Sequence, residues 1–183
     1  MVWKRKIAYV DLSKGKITKK PIPKSLRKQY LGGRGINAFY LYNHISPGID
    51  PLSPENALLI STGLLTGVPA LGAGRCDIAA KSPLTGAVGN SNIGGFFGLE
   101  LRLAGFDNLV ITGNAKKPTY LWIRDGEIEI LNASHLWGND TFTTQSQIRS
   151  DHNDEEIKSV VIGVAGEKLV RFANIRTGMK NSA

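Results

Sequence analysis

The chain contains one cysteine, Cys76, among 183 residues. A lone cysteine excludes an internal disulfide, and it excludes a cysteine-ligated metal cluster built from this chain alone. Long apolar runs are also missing, since none approaches the roughly 18 residues that a membrane-crossing helix requires. The basic start, Met1-Val2-Trp3-Lys4-Arg5-Lys6, leads into alternating polar residues and not into the apolar stretch of a signal peptide. The expectation is a soluble, cytoplasmic protein with no membrane partner. His44, His135 and His152 lack metal-ligand spacing and are expected to be structural or exposed. No nucleophile sits in an elbow motif, and Cys76 reads as a small buried residue and not as a reactive thiol.

What is present is positive charge: 23 Lys and Arg against 15 Asp and Glu, a formal net charge of +8. Basic surfaces bind phosphates, so a nucleic-acid partner has to be weighed. The distribution argues against it. Positive residues crowd the first 35 positions, aromatics amount to only 8% and are not interleaved with them, and no nucleic-acid-binding signature occurs. A solvated face, or attraction to an anionic cofactor or an acidic partner, accounts for the charge as well.

Residues 7–12 alternate like a strand, and Ser13-Lys14-Gly15-Lys16 turns the chain into Ile17-Thr18, which predicts a hairpin. Residues 25–31 have helical spacing and end at Gly32-Gly33; residues 36–45 read as a second helix. A buried strand is expected over 57–61, a helix ending at Gly105, and strands over 108–112, 120–124 and 128–131. Asp125-Gly126 is a strong hairpin signal between the last two. Residues 142–149 read as a short helix, and 160–163 and 169–175 as closing strands. Many short strands with few interposed helices favour α+β over a doubly wound parallel sheet.

Between Gly63 and Gly98 the composition changes: one residue in four is glycine, against about 7% in an average protein. Three segments in or near this stretch invite a chemical reading. Gly32-Gly33-Arg34-Gly35 opens a helix, where backbone amides and the helix dipole favour an anion, yet a plain inter-helix loop with a surface arginine would look the same. In Leu71-Gly72-Ala73-Gly74-Arg75-Cys76 small neighbours leave the Arg75 guanidinium free to meet a planar ligand, or the segment is a tight turn with an exposed arginine. Asn92 precedes Gly94-Gly95 and a helix. It can be the N-cap, but a cap does not need paired glycines, which suggest a close approach to the backbone. No segment matches a dinucleotide fingerprint or a P-loop.

Taken together these segments resemble one family. Asp50-Pro51-Leu52-Ser53-Pro54-Glu55-Asn56, Gly63-Leu64-Leu65-Thr66-Gly67, Gly74-Arg75 and Lys81-Ser82-Pro83-Leu84-Thr85-Gly86 are typical of aldehyde:ferredoxin oxidoreductases. So are Asn92-Ile93-Gly94-Gly95-Phe96-Phe97-Gly98, Leu103-Ala104-Gly105-Phe106-Asp107, Ala133-Ser134-His135-Leu136-Trp137-Gly138 and Gly163-Val164-Ala165-Gly166-Glu167. They occur in order along essentially the whole chain. The resemblance implies that residues 1–183 form an N-terminal domain of paired β-rich subdomains of mostly antiparallel strands, with a few short helices, making a concave base. On that base a tungsten (occasionally molybdenum) ion rests between two pterin dithiolenes, the tungstopterin. In the family aldehydes are oxidised to carboxylic acids, and two electrons leave through a 4Fe-4S cluster to ferredoxin.

The resemblance also implies residue roles. Arg75 corresponds to the arginine lying between pterin and cluster. Asn92 would bind, through its backbone carbonyl, the magnesium that joins the pterin phosphates. Gly94 and Gly95 would permit close approach, Arg34 would be a further anion contact, and Ser182 aligns, one residue out of register, with a second magnesium-ligating carbonyl. A bulky anionic cofactor suits amides, arginine and magnesium. The family's cluster cysteines and acid–base residues have no counterpart here, so turnover is expected to need further domains or a complementing subunit. The apolar surface those parts would cover is expected to favour homo-oligomers. The alternatives are a non-catalytic binding module for a pterin or other anion and, behind it, a basic nucleic-acid binder.

Overall fold

In the computed structural model residues 5–183 are described; the first four positions of the basic start lie outside the described residues. Strand β1 (Lys6–Asp11) folds back through Gly15, at φ 62°, onto β2 (Lys16–Pro21). A six-stranded sheet grows from this hairpin in the order β2-β1-β6-β3-β4-β5, where β3 is Ala57–Thr62, β4 Cys76–Lys81, β5 Val88–Ile93 and β6 Asn108–Thr112. Only β1 and β6 run parallel within it; every other pairing is antiparallel.

Both faces of the sheet are covered, which explains why no residue of β1 or β3 is exposed. Helices α1 (Lys24–Tyr30) and α2 (Arg34–His44) cover one face, with Leu26, Ile36, Tyr40 and Leu41 packed on Ile7, Leu59, Ala79 and Val110. The opposite face carries Ala8, Ile60, Cys76 and Ile78 against α3 (Phe97–Leu103) and Ile128 of a second β-rich part. That part begins with the hairpin of β7 (Thr119–Arg124) and β8 (Glu127–Asn132), turned by Asp125 and Gly126 at φ 50° and 83°, the left-handed pair such a tight turn requires. Helix α4 (Thr141–His152) follows, its N-terminus capped by the Asp140 carboxylate, which accepts from the amides of Phe142 and Thr143. A single turn, α5 (Val164–Glu167), and the small ladder of β9 (Arg176–Thr177) with β10 (Asn181–Ser182) complete the chain. The architecture is α+β, as the pattern of short strands implied.

The structure departs from the sequence expectation in two regions. Residues 160–163 form only the isolated bridge of Val161 with Arg176, and 169–175 form turns instead of a strand. Leu169 leaves α5 at φ 56° with its amide bonded to Gly166, and that left-handed step breaks the extended run. The second departure, the strands β4 and β5, lies at the candidate site. Among the described residues no helix is long and apolar enough to cross a membrane.

Candidate anion-binding site

Asn92 is not a helix cap. It lies inside β5, paired with Asp77 of β4, while α3 starts later with Phe96 in the capping position. The next pair is Cys76 with Ile93, so Arg75, one step before β4, faces Gly94, one step after β5. Arg75 and Asn92 therefore sit at the same end of one strand pair. Alternation puts Asp77, Asn90 and Asn92 on the α2 side of the sheet. Because β5 is an edge strand, alternate main-chain carbonyls on it have no strand partner and remain available as ligands.

The glycines bring the other segments to this end. A Cβ at position 74 would stand 2.9 Å from the Gly95 carbonyl oxygen, and one at position 94 would stand 3.0 Å from Asn181 Oδ1. Gly95 itself is at φ 84°. The backbone approach that Gly94 and Gly95 allow is thus to Asn181 of β10, which carries Ser182, an exposed residue, to the same neighbourhood. Gly63 joins from the end of β3: its amide and the Thr66 hydroxyl both donate to the Arg75 carbonyl, at 3.4 and 2.8 Å.

Two arginines hold that Gly63–Thr66 turn from behind. Arg102 of α3 donates to the carbonyls of Gly63, Leu64 and Thr66, and Arg5 donates to Leu64 at 3.0 Å. Both guanidiniums lie near the Asp107 carboxylate, at 3.5 and 3.7 Å, with all three side chains at most 9% exposed. Burial pushes the Asp107 carboxyl above its ordinary value against the pull of Arg5 and Arg102, and burial pulls the Arg5 guanidinium down. The ion triad is thus a buried clamp behind the turn.

Arg75 and Arg34 behave differently from these clamping residues. Both are exposed, and among the described residues neither takes part in a salt bridge. Arg34 starts α2 after Gly33, which is at φ 52° and donates its amide to the Thr62 carbonyl at 2.9 Å. With Ala38, Leu41, Ala79, Val88 and Asn90 it lines a shallow hollow of about 310 Å³ between α2 and the β5 edge. Arg34 thus shares the α2 side with Asn92 but lies further along the strands, toward Val88. Two unpaired guanidiniums in a chain of net charge +8, beside open edge-strand carbonyls, can receive a multiply charged anion and its counter-cation.

Beneath this surface runs a polar chain that the sequence did not announce. Asn108 donates to Ser61, Ser61 to Asn37 at 2.5 Å, and Asn37 to the Asp77 carboxylate at 2.7 Å; Asn90 donates to the same carboxylate at 2.6 Å. Asp77 is 1% exposed. A carboxylate inside the run Cys-Asp-Ile-Ala-Ala was the available signal, together with Asn37 in the buried stripe of a helix.

A larger cavity than this hollow lies elsewhere. About 690 Å³ opens between the main sheet and the β7–β8 hairpin, lined largely by apolar groups such as Leu58, Ile60, Leu109, Ile111, Leu121 and Ile123. Arg34, Arg75, Asn92, Gly94, Gly95 and Ser182 are all absent from its lining, which does not suit an anion. The histidines lie apart from the site as well: His44 stacks on Tyr40, His152 on Trp122, and His135 meets Asp151 at 2.6 Å. Among the described residues no group of three His, Cys, Asp or Glu is placed to hold a metal.

Fold and site define an α+β domain with a basic, glycine-built sheet end. The family model described as the aldehyde ferredoxin oxidoreductase N-terminal domain matches residues 7–183. The tungsten-containing aldehyde ferredoxin oxidoreductase of Pyrococcus furiosus is 46% identical over 166 residues, covering 91% of this chain and 27% of the relative. The enzyme of the same name from Thermococcus kodakarensis is 42% identical over 166 residues, with the same coverage of 91% and 27%. A solved structure, the active site complex BamBC of benzoyl coenzyme A reductase with 1,5-dienoyl-CoA, superposes with a TM-score of 0.95 at 37% identity, over 97% of this chain and 27% of that one. The chain belongs to the aldehyde ferredoxin oxidoreductase family, as its N-terminal domain. It spans about a quarter of the length of these relatives.

Proposed function

We propose that residues 1–183 supply the cofactor-cradling domain of a tungsten (or molybdenum) oxidoreductase that converts aldehydes to carboxylic acids and passes electrons through a 4Fe-4S cluster to ferredoxin. The observation that carries this reading is the meeting, at one sheet end, of the family segments bearing Arg75, Asn92, Gly94-Gly95 and Ser182. The donor set fits a bis-pterin with its phosphates and magnesium: unpaired guanidiniums for the anion, edge-strand carbonyls for the cation, and glycines that keep Cβ atoms out of the way.

When bound, the tungsten supplies the two-electron chemistry; the protein groups position and tune it. Arg75, its carbonyl held by Thr66 and Gly63, would direct its guanidinium to the pterin on the cluster side. The Asn92 carbonyl, with that of Ser182 across the glycine contact, would ligate magnesium. Arg34 would add charge further along the same side of the sheet. With Cys76 as the single cysteine, cluster ligands must come from beyond this stretch. Relatives matched over this same stretch are named for aldehydes and for benzoyl coenzyme A, which supports substrate choice lying in the remaining parts.

The test is elemental analysis of anaerobically purified protein, prepared alone and together with the remainder of the Pyrococcus furiosus relative. Tungsten and iron retained only in the combined preparation is the expected result. Tungsten in neither preparation overturns the reading, and pterin retained by the single chain without iron favours a binding module.

A further inference from the structure

We propose that Asp77 is the positioning residue of this site: one buried carboxylate ties together the three elements that carry Arg34, Arg75 and Asn92. The inference rests on the cofactor-cradling reading for its functional meaning, although the tie itself is independent of it. Asp77 lies on β4, two residues after Arg75. Its Oδ1 accepts from Asn37 Nδ2 at 2.7 Å, and both of its oxygens accept from Asn90 Nδ2 at 2.6 Å. Its own carbonyl accepts from Asn37 at 3.0 Å. Asn37 stands one helical turn after Arg34 on α2, and Asn90 stands two residues before Asn92 on β5. The bonded group is therefore within one turn or one strand pleat of each candidate ligand.

A buried carboxylate ordinarily acquires a cationic partner. Asp77 has none among the described residues: it takes part in no salt bridge and is 1% exposed. What the charge does instead is fix polarity. A carboxylate only accepts, so both amides must turn their NH2 groups toward it. That leaves the Asn37 oxygen facing away to accept from Ser61, which in turn receives Asn108. Donors run toward Asp77 from the sheet interior on one side and from the edge strand on the other. An apolar residue at 77 would fill the space, but it would leave β5 held at this level by its ladder alone and α2 free to slide along the sheet. The unpaired charge is explained by a need to hold an edge strand and a helix start in one register beside an exposed binding surface.

Three variants of the full chain test this. Asp77→Asn keeps the shape but turns an NH2 toward a donor. The exchange D77N/N90D restores one donor and one acceptor between β4 and β5 while still accepting from Asn37. Asn90→Ala removes only the link to the edge strand. Amide hydrogen exchange across β5 and calorimetric titration with inorganic pyrophosphate plus magnesium are read together. We expect Asp77→Asn and Asn90→Ala to speed exchange of the ladder-bonded Ser91 and Ile93 amides by tenfold or more and to weaken pyrophosphate binding by about tenfold, with the exchanged pair recovering most of both. Unchanged β5 exchange in Asn90→Ala, or no recovery in the exchanged pair, overturns the proposal. If the parent chain binds no pyrophosphate while β5 exchange still responds as stated, the cofactor reading fails and the positioning role stands.

Discussion

The Thr66 hydroxyl donates to the Arg75 carbonyl at 2.8 Å, so that a turn leaving β3 holds the backbone of the residue entering β4. Thr66 is 2% exposed, and the Gly63 amide shares the same acceptor. Thr66→Val keeps the volume and loses the donor, while the carbonyl keeps one partner. The expected cost is about 1 kcal/mol in urea denaturation. Thr66→Ser should retain most of it, and equal losses in both variants would place the effect in packing instead.

Asp107 is the one carboxylate shared by the two guanidiniums that grip this turn. Asp107→Asn leaves Arg5 and Arg102 buried beside one another without a counter-charge, and removing one partner of a buried pair typically costs about 3–5 kcal/mol. We expect a loss in that range, with faster amide exchange through residues 63–66. A change below about 1 kcal/mol, within the usual surface range, would show that the clamp is dispensable.

Acid sensitivity has an identifiable source at Asp140. Bonds from the Thr143 hydroxyl and amide, and then from the Phe142 amide, hold its carboxyl below the ordinary value of 3.8. A carboxyl lowered in the folded state contributes stability that is complete above its unfolded value and is lost as pH falls through the folded one. Asp140→Asn keeps an acceptor at the cap but does not titrate. The stability difference between parent and variant should therefore be constant above pH 3.8 and shrink below it, read by denaturation at successive pH values. A difference that does not change with pH would contradict this.

Cys76 is 2% exposed, and burial, with Asp77 adjoining, pushes its thiol up to about 12. Alkylation requires the thiolate. Iodoacetamide at mildly alkaline pH should leave the folded chain unmodified and label it fully in denaturant, as mass spectrometry would show. Rapid labelling of the folded chain would mean that the β4–β5 end opens.

The parts of this structure that obey local rules were legible in the sequence. Alternation over 7–12, the Asp125-Gly126 turn and the helical spacing before Gly32 each express one short-range preference, and each element is where that preference puts it. Strands β4 and β5 were not legible, because β5 is the polar, glycine-bearing run Val-Gly-Asn-Ser-Asn-Ile at the sheet edge. It is held by its ladder with β4 and by a bond from Asn90 to Asp77, neither of which an apolar pattern announces. The same reason hid Asn37, Asp77 and Asn90 from the candidate site, whereas Arg75 and the glycines around it could be found from the family resemblance. The sequence does not announce that Gly94 and Gly95 also lie against Asn181, a neighbour 86 positions away from Gly95.

Calorimetric titration of the intact chain with magnesium and inorganic pyrophosphate, comparing the parent with Arg75→Ala, tests the central claim most directly. Arg124, exposed at the far hairpin and paired with Asp125, supplies the control variant Arg124→Ala. A charge-assisted contact from Arg75 predicts magnesium-dependent binding weakened about tenfold or more in Arg75→Ala and unchanged in Arg124→Ala. Equal weakening in the two variants, or none in either, would contradict an anion seat at this end of the sheet.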